Sequence, residues 1–240
     1  VVRPLLATRR PYRVTSVHAE LADVISIRLR PDGHLGLRFD AGQFAWFTLG
    51  PSPMSLQQHP FSFSSSADDG EIEFTAKVLG DFTSTLPDVE VGSTAFLEGP
   101  YGGFTLDDGD SPVAMLAGGI GVTPILSILR TAAERGTSRP FVLFYATSTL
   151  ERAPFRDELR RLAERLDLTV LHVPENAPPG WDGESGFIDS EMIARRLPAP
   201  PDGYEYYICG PEPMMDACEE GVRSLGVSWQ QIYTERFQVV

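Results

Sequence analysis

The fold class this sequence predicts is two domains in series, an antiparallel six-stranded β-barrel followed by a doubly wound α/β parallel sheet. Three observations carry that expectation. Short segments of apolar–polar alternation occupy the first hundred residues. A polar, turn-rich linker, Asp107-Asp108-Gly109-Asp110, then marks a change of pattern. Beyond it, short apolar runs alternate with stretches of helical periodicity. The expected domains are 1–108 and 109–240, and 240 residues are enough for each to bury a core of its own.

Segment 24–30 places Ile25, Ile27 and Leu29 on one face and Ser26, Arg28 and Arg30 on the other. Segment 71–78 repeats the pattern, with Ile72, Phe74, Ala76 and Val78 opposite Glu71, Glu73, Thr75 and Lys77. A period of two implies half-buried antiparallel strands with one polar face in water. Further strands are expected at 12–18, 43–49, 60–65 and 94–98, separated by Pro31-Asp32-Gly33, Asp68-Asp69-Gly70 and Val91-Gly92. In the second half, Val113–Ala117, Phe141–Tyr145, Leu168–Val173 and Tyr206–Cys209 read as buried strands. Between them Phe155, Leu159, Leu162 and Leu166 fall at helical spacing, and Pro211 opens another helix with Asp216, Glu219 and Glu220 outside. Such alternation of strand and helix implies a parallel sheet.

Composition excludes several classes. Apolar residues make up 42% and charged residues 22%, ordinary globular usage rather than a disordered or fibrous chain. The net charge of −13 opposes sequence-independent binding to nucleic acid, which needs a basic surface. Two cysteines, Cys209 and Cys218, are too few for an iron–sulfur cluster or a Cys-rich zinc site, and they make no disulfide framework. The four histidines show no metal-site spacing. No apolar stretch approaches the roughly 20 residues that span a bilayer. Residues 1–19 carry Arg3, Arg9, Arg10 and Arg13 and no acid. That basic start, which has no initiator Met, reads either as the cytoplasmic flank of a membrane helix or as a trimmed end with ordinary surface arginines.

Six short motifs could carry chemistry. Gly118-Gly119-Ile120-Gly121-Val122-Thr123-Pro124 follows a strand directly. Its glycines would let backbone approach a ligand, and a helix starting there, with Thr123 as cap and Pro124 in the first turn, would aim its positive end at a pyrophosphate. The bland alternative is a tight strand-to-helix turn. Tyr207-Ile208-Cys209-Gly210-Pro211-Glu212-Pro213-Met214 ends a second strand, where an open parallel sheet binds ligands, although Cys209 could equally be a small core residue. His59-Pro60-Phe61-Ser62-Phe63-Ser64-Ser65 sets an imidazole and hydroxyls on one strand, with groups able to bond a ring and a phosphate. Gly80-Asp81-Phe82-Thr83 could be a second phosphate-holding helix start. Gly99-Pro100-Tyr101-Gly102-Gly103-Phe104 reads as a turn, and Glu235-Arg236-Phe237 ends on an aromatic that would ordinarily anchor the terminus.

The order of these motifs resembles the ferredoxin-NADP reductase superfamily over nearly the whole chain. The usual Arg-x-Tyr-Ser stands here as His59-Pro60-Phe61-Ser62, which is similar to the cytosolic dehydrogenase region of NADPH oxidases and ferric reductases. Arg9-Arg10-Pro11-Tyr12-Arg13-Val14 and Ala41-Gly42-Gln43-Phe44 also look like bacterial members of that branch.

The resemblance implies an FAD-binding barrel, a domain for NADPH (NADH remaining possible), and hydride transfer between the two cofactors. Ser62 matches the residue near flavin N5, and His59, followed by Pro60 and Phe61, matches the arginine that meets the FAD phosphates. Gly80, Asp81, Phe82 and Thr83 match the FAD pyrophosphate loop, with Lys77 just ahead of it as a further cofactor-binding candidate. Gly118, Gly119, Gly121, Thr123 and Pro124 match the loop for the nicotinamide nucleotide's pyrophosphate. Cys209, with Gly210, Pro211 and Met214 behind it, matches the cysteine beside the nicotinamide. Glu235 and Phe237 match a Glu-x-aromatic whose ring covers the flavin. Two departures, the missing hydroxyl at Phe61 and the weaker, pH-dependent charge at His59, imply looser FAD retention.

The strand after Phe141 ends in Thr147 and Ser148 with Arg152 nearby, and no acid stands at its end to pair with free ribose hydroxyls. That leans toward NADPH, while Glu151 keeps NADH in play. The implied acceptor is the haem of a transmembrane domain on the N-terminal side, which would put this domain on the cytoplasmic face of the inner membrane. The alternatives are a soluble flavin or oxygenase reductase with a diffusible acceptor, and a docking subunit that keeps the fold without turnover. The chain is expected to hold no iron–sulfur cluster.

Overall fold

The computed structural model describes residues 10–50, 52 and 58–236. They fall into two units, each with a sheet.

The first unit runs to Thr105 and also includes Leu126–Thr131. Its strands are β1 (Tyr12–Leu21), β2 (Val24–Pro31), β3 (Phe44–Leu49), β4 (His59–Ser62), β5 (Ile72–Lys77) and β6 (Thr94–Tyr101). They form one antiparallel sheet in the order β4-β3-β6-β1-β2-β5. A bridge between Phe63 and Phe74 brings the two edge strands together, so the sheet curls into the expected barrel. A one-turn helix, α1 (Asp81–Ser84), follows β5. The inward residues of the alternating segments, among them Ile25, Ile27, Leu29, Ile72 and Phe74, build the core with Tyr12, Phe47 and Phe63.

The polar face of β2 and β5 departs from expectation. Ser26, Thr75 and Glu73 are only 3%, 4% and 9% exposed, so the middle of this face is out of water, while Arg30 at its end is exposed. The cover comes from the helix Val122–Arg135 (α2), whose residues Leu126–Thr131 belong to this unit. Alternation reports chemical polarity, and here the polar groups satisfy one another out of water. Thr75 Oγ1 lies 2.8 Å from Ser26 Oγ and 3.0 Å from Ser64 Oγ. Ser64 donates to Glu73 at 3.1 Å, and Arg130 donates to Glu73 at 2.6 Å and to the Ser64 carbonyl at 2.7 Å.

The second unit holds β7 (Val113–Gly118), β8 (Phe141–Thr147), β9 (Leu168–Pro174), β10 (Glu205–Cys209) and β11 (Ile232–Glu235), all parallel, in the order β11-β10-β7-β8-β9. Its helices, besides the ends of α2, are α3 (Arg156–Ala163), α4 (Ser190–Arg196) and α5 (Glu212–Ser224). This is the expected doubly wound sheet, with β11 and α4 beyond the elements read from the sequence. The edge strand β11 is four residues, too short to show a period, and α4 is a seven-residue helix whose Asp189 cap accepts from the Met192 amide at 2.8 Å. Phe155, Leu159, Leu162 and Leu166 are all buried, but α3 covers only the middle pair. Phe155 is its N-cap, in a left-handed conformation with φ 64°, and Leu166 lies past its end.

The linker residue Asp107 is pinned. Arg139, itself buried, donates to Asp107 at 3.0 Å, to Glu205 at 2.8 Å and to the Ser111 carbonyl. Among the described residues, no helix is long and apolar enough to cross a membrane, and no group of His, Cys, Asp and Glu could hold a metal ion.

Candidate active site

In the barrel, β4 pairs antiparallel with β3, setting Ser62 opposite Phe44 and His59 opposite Phe47. Ser62 is 4% exposed, yet its Oγ has no hydrogen-bond partner. Nor does the buried Nε2 of His59, three residues earlier on the same strand. The His59 ring stacks on Phe82 of α1, with centroids 3.9 Å apart and planes 13° from parallel. Burial holds the imidazole below its ordinary pKa, so it is neutral at neutral pH. Phe61 stacks more distantly on Phe82, at 6.1 Å, and packs against the barrel core. Pro60 lies opposite Trp46 in the ladder.

Thr83 closes the Gly80 turn on itself. Its hydroxyl accepts from the Leu79 and Gly80 amides at 2.9 and 3.0 Å and donates to the Gly80 carbonyl at 3.1 Å. Those two amides are therefore taken, and the Asp81, Phe82 and Thr83 amides head the turn. Lys77 ends β5 opposite Val24. Two unpartnered buried polar atoms on one strand would be satisfied by a group carrying ring heteroatoms and phosphate oxygens, so these residues fit FAD.

In the second unit, Gly118 closes β7, Gly119–Gly121 form one 3₁₀ turn, and α2 follows. The glycines have different reasons for being glycine. A Cβ on Gly118 would lie 2.7 Å from Pro211 Cδ, on Gly121 2.6 Å from the Cys209 carbonyl carbon, and on Gly210 3.0 Å from the Gly118 nitrogen. These three let the loops after β7 and β10 pack together, with Met214 sulfur against Gly118. Gly119, in the same loop, instead combines a positive φ, +52°, with open space beside it. Thr123 is not the cap: Gly121 is, and Thr123 is the second residue of α2, its hydroxyl donating to the Ile120 carbonyl at 3.0 Å. The glycine turn satisfies the cap position with backbone alone, which frees the threonine to brace the turn from inside. Pro124 stays in the first turn, where it removes no helical bond.

Cys209 closes β10 and is fully buried. Burial, and then the neighbouring Glu235 carboxylate, push its thiol above the ordinary range, so it stays protonated. Glu235 is its partner in the β10–β11 ladder, and burial raises that carboxyl too. Phe237 lies outside the described residues. Thr147 is buried and donates to the Thr149 carbonyl at 2.9 Å. Ser148 is exposed, its carbonyl accepting from the Asn176 amide at 2.9 Å, and Arg152 is exposed in the Leu150–Arg152 turn. Glu151 in the same turn is held low, first by a backbone hydrogen bond and then by the Thr149 hydroxyl.

The structure thus gathers His59, Phe61, Phe82 and Ser62 in one unit, and Gly118–Thr123, Cys209–Met214 and Glu235 in the other. Sequence reasoning missed the His59–Phe82 stack, the Glu73–Arg130 pair and the phenol of Tyr145, which donates to the Gly119 carbonyl at 3.2 Å. One signal was legible: Ser127, Arg130 and Thr131 form a polar stripe on an otherwise apolar stretch of α2.

Residues 10–105 match a family model described as an FAD-binding domain, and residues 115–220 match one described as an oxidoreductase NAD-binding domain. The reductase component of propane 2-monooxygenase from Rhodococcus jostii is 32% identical over 94% of this chain and 62% of its own length. The chain therefore spans less than two thirds of that relative. NADH-cytochrome b5 reductase 1 of Aspergillus terreus is 30% identical over 82% of this chain and 70% of its own. A solved ferredoxin reductase in carbazole 1,9a-dioxygenase superposes with a TM-score of 0.81 at 28% identity, covering 95% of this chain and 69% of the other.

A barrel with a flavin half-site followed by a parallel sheet with a nucleotide half-site defines the class, a two-domain FAD- and NAD(P)-binding reductase. The chain belongs to the ferredoxin-NADP reductase-like superfamily. It is an NAD(P)H-dependent FAD oxidoreductase module of the electron-transfer kind.

Proposed function

We propose that this chain takes hydride from NADPH and delivers electrons singly to a separate protein acceptor. The observation that carries the reading is the pair of unpartnered buried atoms on β4, Ser62 Oγ and His59 Nε2. Bound FAD supplies hydride acceptance and the conversion of a two-electron donor into one-electron delivery. Ser62 would donate to the flavin ring, while His59, Lys77 and the amides of Asp81–Thr83 would hold the phosphates. The glycine turn Gly119–Gly121 and the start of α2 behind it would bind the nicotinamide nucleotide's pyrophosphate. Cys209 serves by shape, since its thiol stays protonated, and Glu235 can hold a proton beside it. Phe237 would cover the flavin.

Ser148 and Arg152 would read a 2′-phosphate, in favour of NADPH over NADH. Comparing kcat/KM for the two nucleotides in wild type and Arg152→Ala tests this: an unmoved ratio removes Arg152 from that role. The test of the main reading is anaerobic addition of NADPH to the FAD-loaded protein. Flavin absorbance that bleaches within seconds supports a reductase; absorbance that persists leaves a non-catalytic docking subunit.

The relatives' names point to an oxygenase-type acceptor, in line with a reductase component. The narrower reading is a haem-bearing transmembrane domain, as in NADPH oxidases and ferric reductases, with this domain at 1–108 and 109–240 on the cytoplasmic face of the inner membrane. It rests on His59-Pro60-Phe61-Ser62 and on the acid-free basic stretch 1–19. Fractionating cells that express the full gene product decides between them: a product in the soluble fraction removes the membrane reading.

A further inference from the structure

We propose that Tyr145 is a positioning residue for the nicotinamide nucleotide, its one phenolic hydroxyl fixing the pyrophosphate loop against the turn that carries Arg152. The inference rests on the reading that Gly118–Thr123 binds that nucleotide. Tyr145 is fully buried near the end of β8, directly after the apolar run Phe141-Val142-Leu143-Phe144. A phenylalanine would fill the same space, so the hydroxyl is the part that needs explaining. A buried hydroxyl costs stability unless it is paired.

The hydroxyl has two carbonyls in reach, Gly119 O at 3.2 Å and Pro154 O at 3.5 Å. It has one proton, and the shorter contact is the better bond. Gly119 is the residue of the loop with positive φ and open space at its α-carbon. Holding its carbonyl inward has a direct consequence. The peptide is planar and trans, so the Ile120 amide N–H must point the opposite way, away from the Tyr145 hydroxyl. The Gly119 carbonyl also accepts from the Val122 amide as the 3₁₀ turn closes, so Tyr145 is a second donor that holds this peptide, and with it the Ile120 amide, in the loop that would meet an anion.

The second carbonyl belongs to the other half of the nucleotide site. Pro154 precedes Phe155, the only non-glycine residue with a left-handed φ among those described. The turn just before it, Leu150–Arg152, is also held from behind by Arg156, which donates to the Leu150 carbonyl at 3.3 Å. One phenol thus lies between the peptide that orients the pyrophosphate amides and the strained junction that ends the Arg152 turn.

The test uses the FAD-loaded protein and two variants, Tyr145→Phe and Tyr206→Phe. Tyr206 is an equally buried tyrosine of the same unit, on β10, and donates to the Pro201 carbonyl at 2.9 Å. It controls for the loss of any buried tyrosine–carbonyl bond. Titration with NADP⁺ and NAD⁺ gives affinities, steady-state rates with ferricyanide give KM and kcat, and melting gives stability. Removing one neutral hydrogen bond corresponds to about a twofold to tenfold change. The expected result is a rise of that size in Kd and KM for Tyr145→Phe with kcat kept, and none for Tyr206→Phe. Unchanged affinity in Tyr145→Phe, or an equal rise in both variants, overturns the proposal, as does a drop in melting temperature without a change in Kd. A wild-type protein that binds neither nucleotide overturns the reading of the loop itself, and the proposal with it.

Discussion

His59 is where a single side chain most directly links burial to cofactor affinity. Its ring is stacked on Phe82, its Nε2 has no partner, and burial keeps it neutral. An arginine there would keep the stacking and add a permanent charge for a phosphate. Charge-assisted hydrogen bonds contribute about 1.5–3 kcal/mol, so His59→Arg should tighten FAD by tenfold or more. Titrating FAD against both proteins checks this, and equal or weaker binding in the variant removes His59 from the phosphate site. Glu235 gives a pH prediction with the opposite dependence to an ion-paired acid. Its folded-state pKa lies above the ordinary 4.5, so between the two values the native state binds more protons than the unfolded chain. Stability contributed by the protonated form is therefore lost as pH rises through that window. Melting temperature followed from pH 4 to 8 should fall less in Glu235→Gln than in wild type; parallel curves would show that Glu235 is solvated.

At the scale of elements, the glycine turn between β7 and α2 separates packing from binding. Gly121 has backbone atoms of Cys209 where its Cβ would go, and backbone cannot swing aside. Gly121→Ala should cost about 1–3 kcal/mol of stability, the usual range for overpacking. Gly119 has open space, so alanine there meets only the left-handed backbone, a strain of about 1–2 kcal/mol. On the proposed reading of this loop, its methyl would stand in the open space left for the nucleotide. Gly119→Ala should thus lose nucleotide affinity out of proportion to its melting temperature, and Gly121→Ala the reverse. Denaturant unfolding and nucleotide titration of the pair test both halves, and identical behaviour would refute the division. The GGIG pattern was legible as a turn that favours glycine, but which glycine serves packing depends on the loop after β10, ninety residues away in sequence.

At the largest scale, within the first unit, the pair between Glu73 and Arg130 ties Leu126–Thr131, the part of α2 that belongs to that unit, to the barrel's polar face. Burial alone would raise the Glu73 carboxyl, but the charge and hydrogen bond of Arg130, with Arg28 and Ser64, hold it below its ordinary value. Arg130→Met leaves that carboxylate buried without its nearest cation and should cost about 3–5 kcal/mol. A depressed carboxylate contributes stability that is present above pH 4.5 and is lost as pH falls through the lower folded value. Wild type should therefore lose stability in acid more steeply than Arg130→Met, whose Glu73 no longer has a depressed pKa to lose. Equal acid slopes in denaturant titrations would show that the pair contributes nothing.

The sequence by itself determined the two sheets and their order, because period-two alternation and strand–helix alternation are local properties of the chain. It also placed the motifs in the order that reveals the superfamily. It could not show that Ser26, Thr75 and Glu73 leave water, since alternation records polarity and says nothing of what covers a polar face. It could not assign the cap of α2, because Gly121 takes that position only once the 3₁₀ turn has formed. Nor could it join Tyr145 to Gly119, or His59 to Phe82, residues more than twenty positions apart that only the folded chain brings together. Tertiary structure decided the satisfaction of buried polar groups, since a hydrogen bond between distant segments exists only after both have been packed out of water.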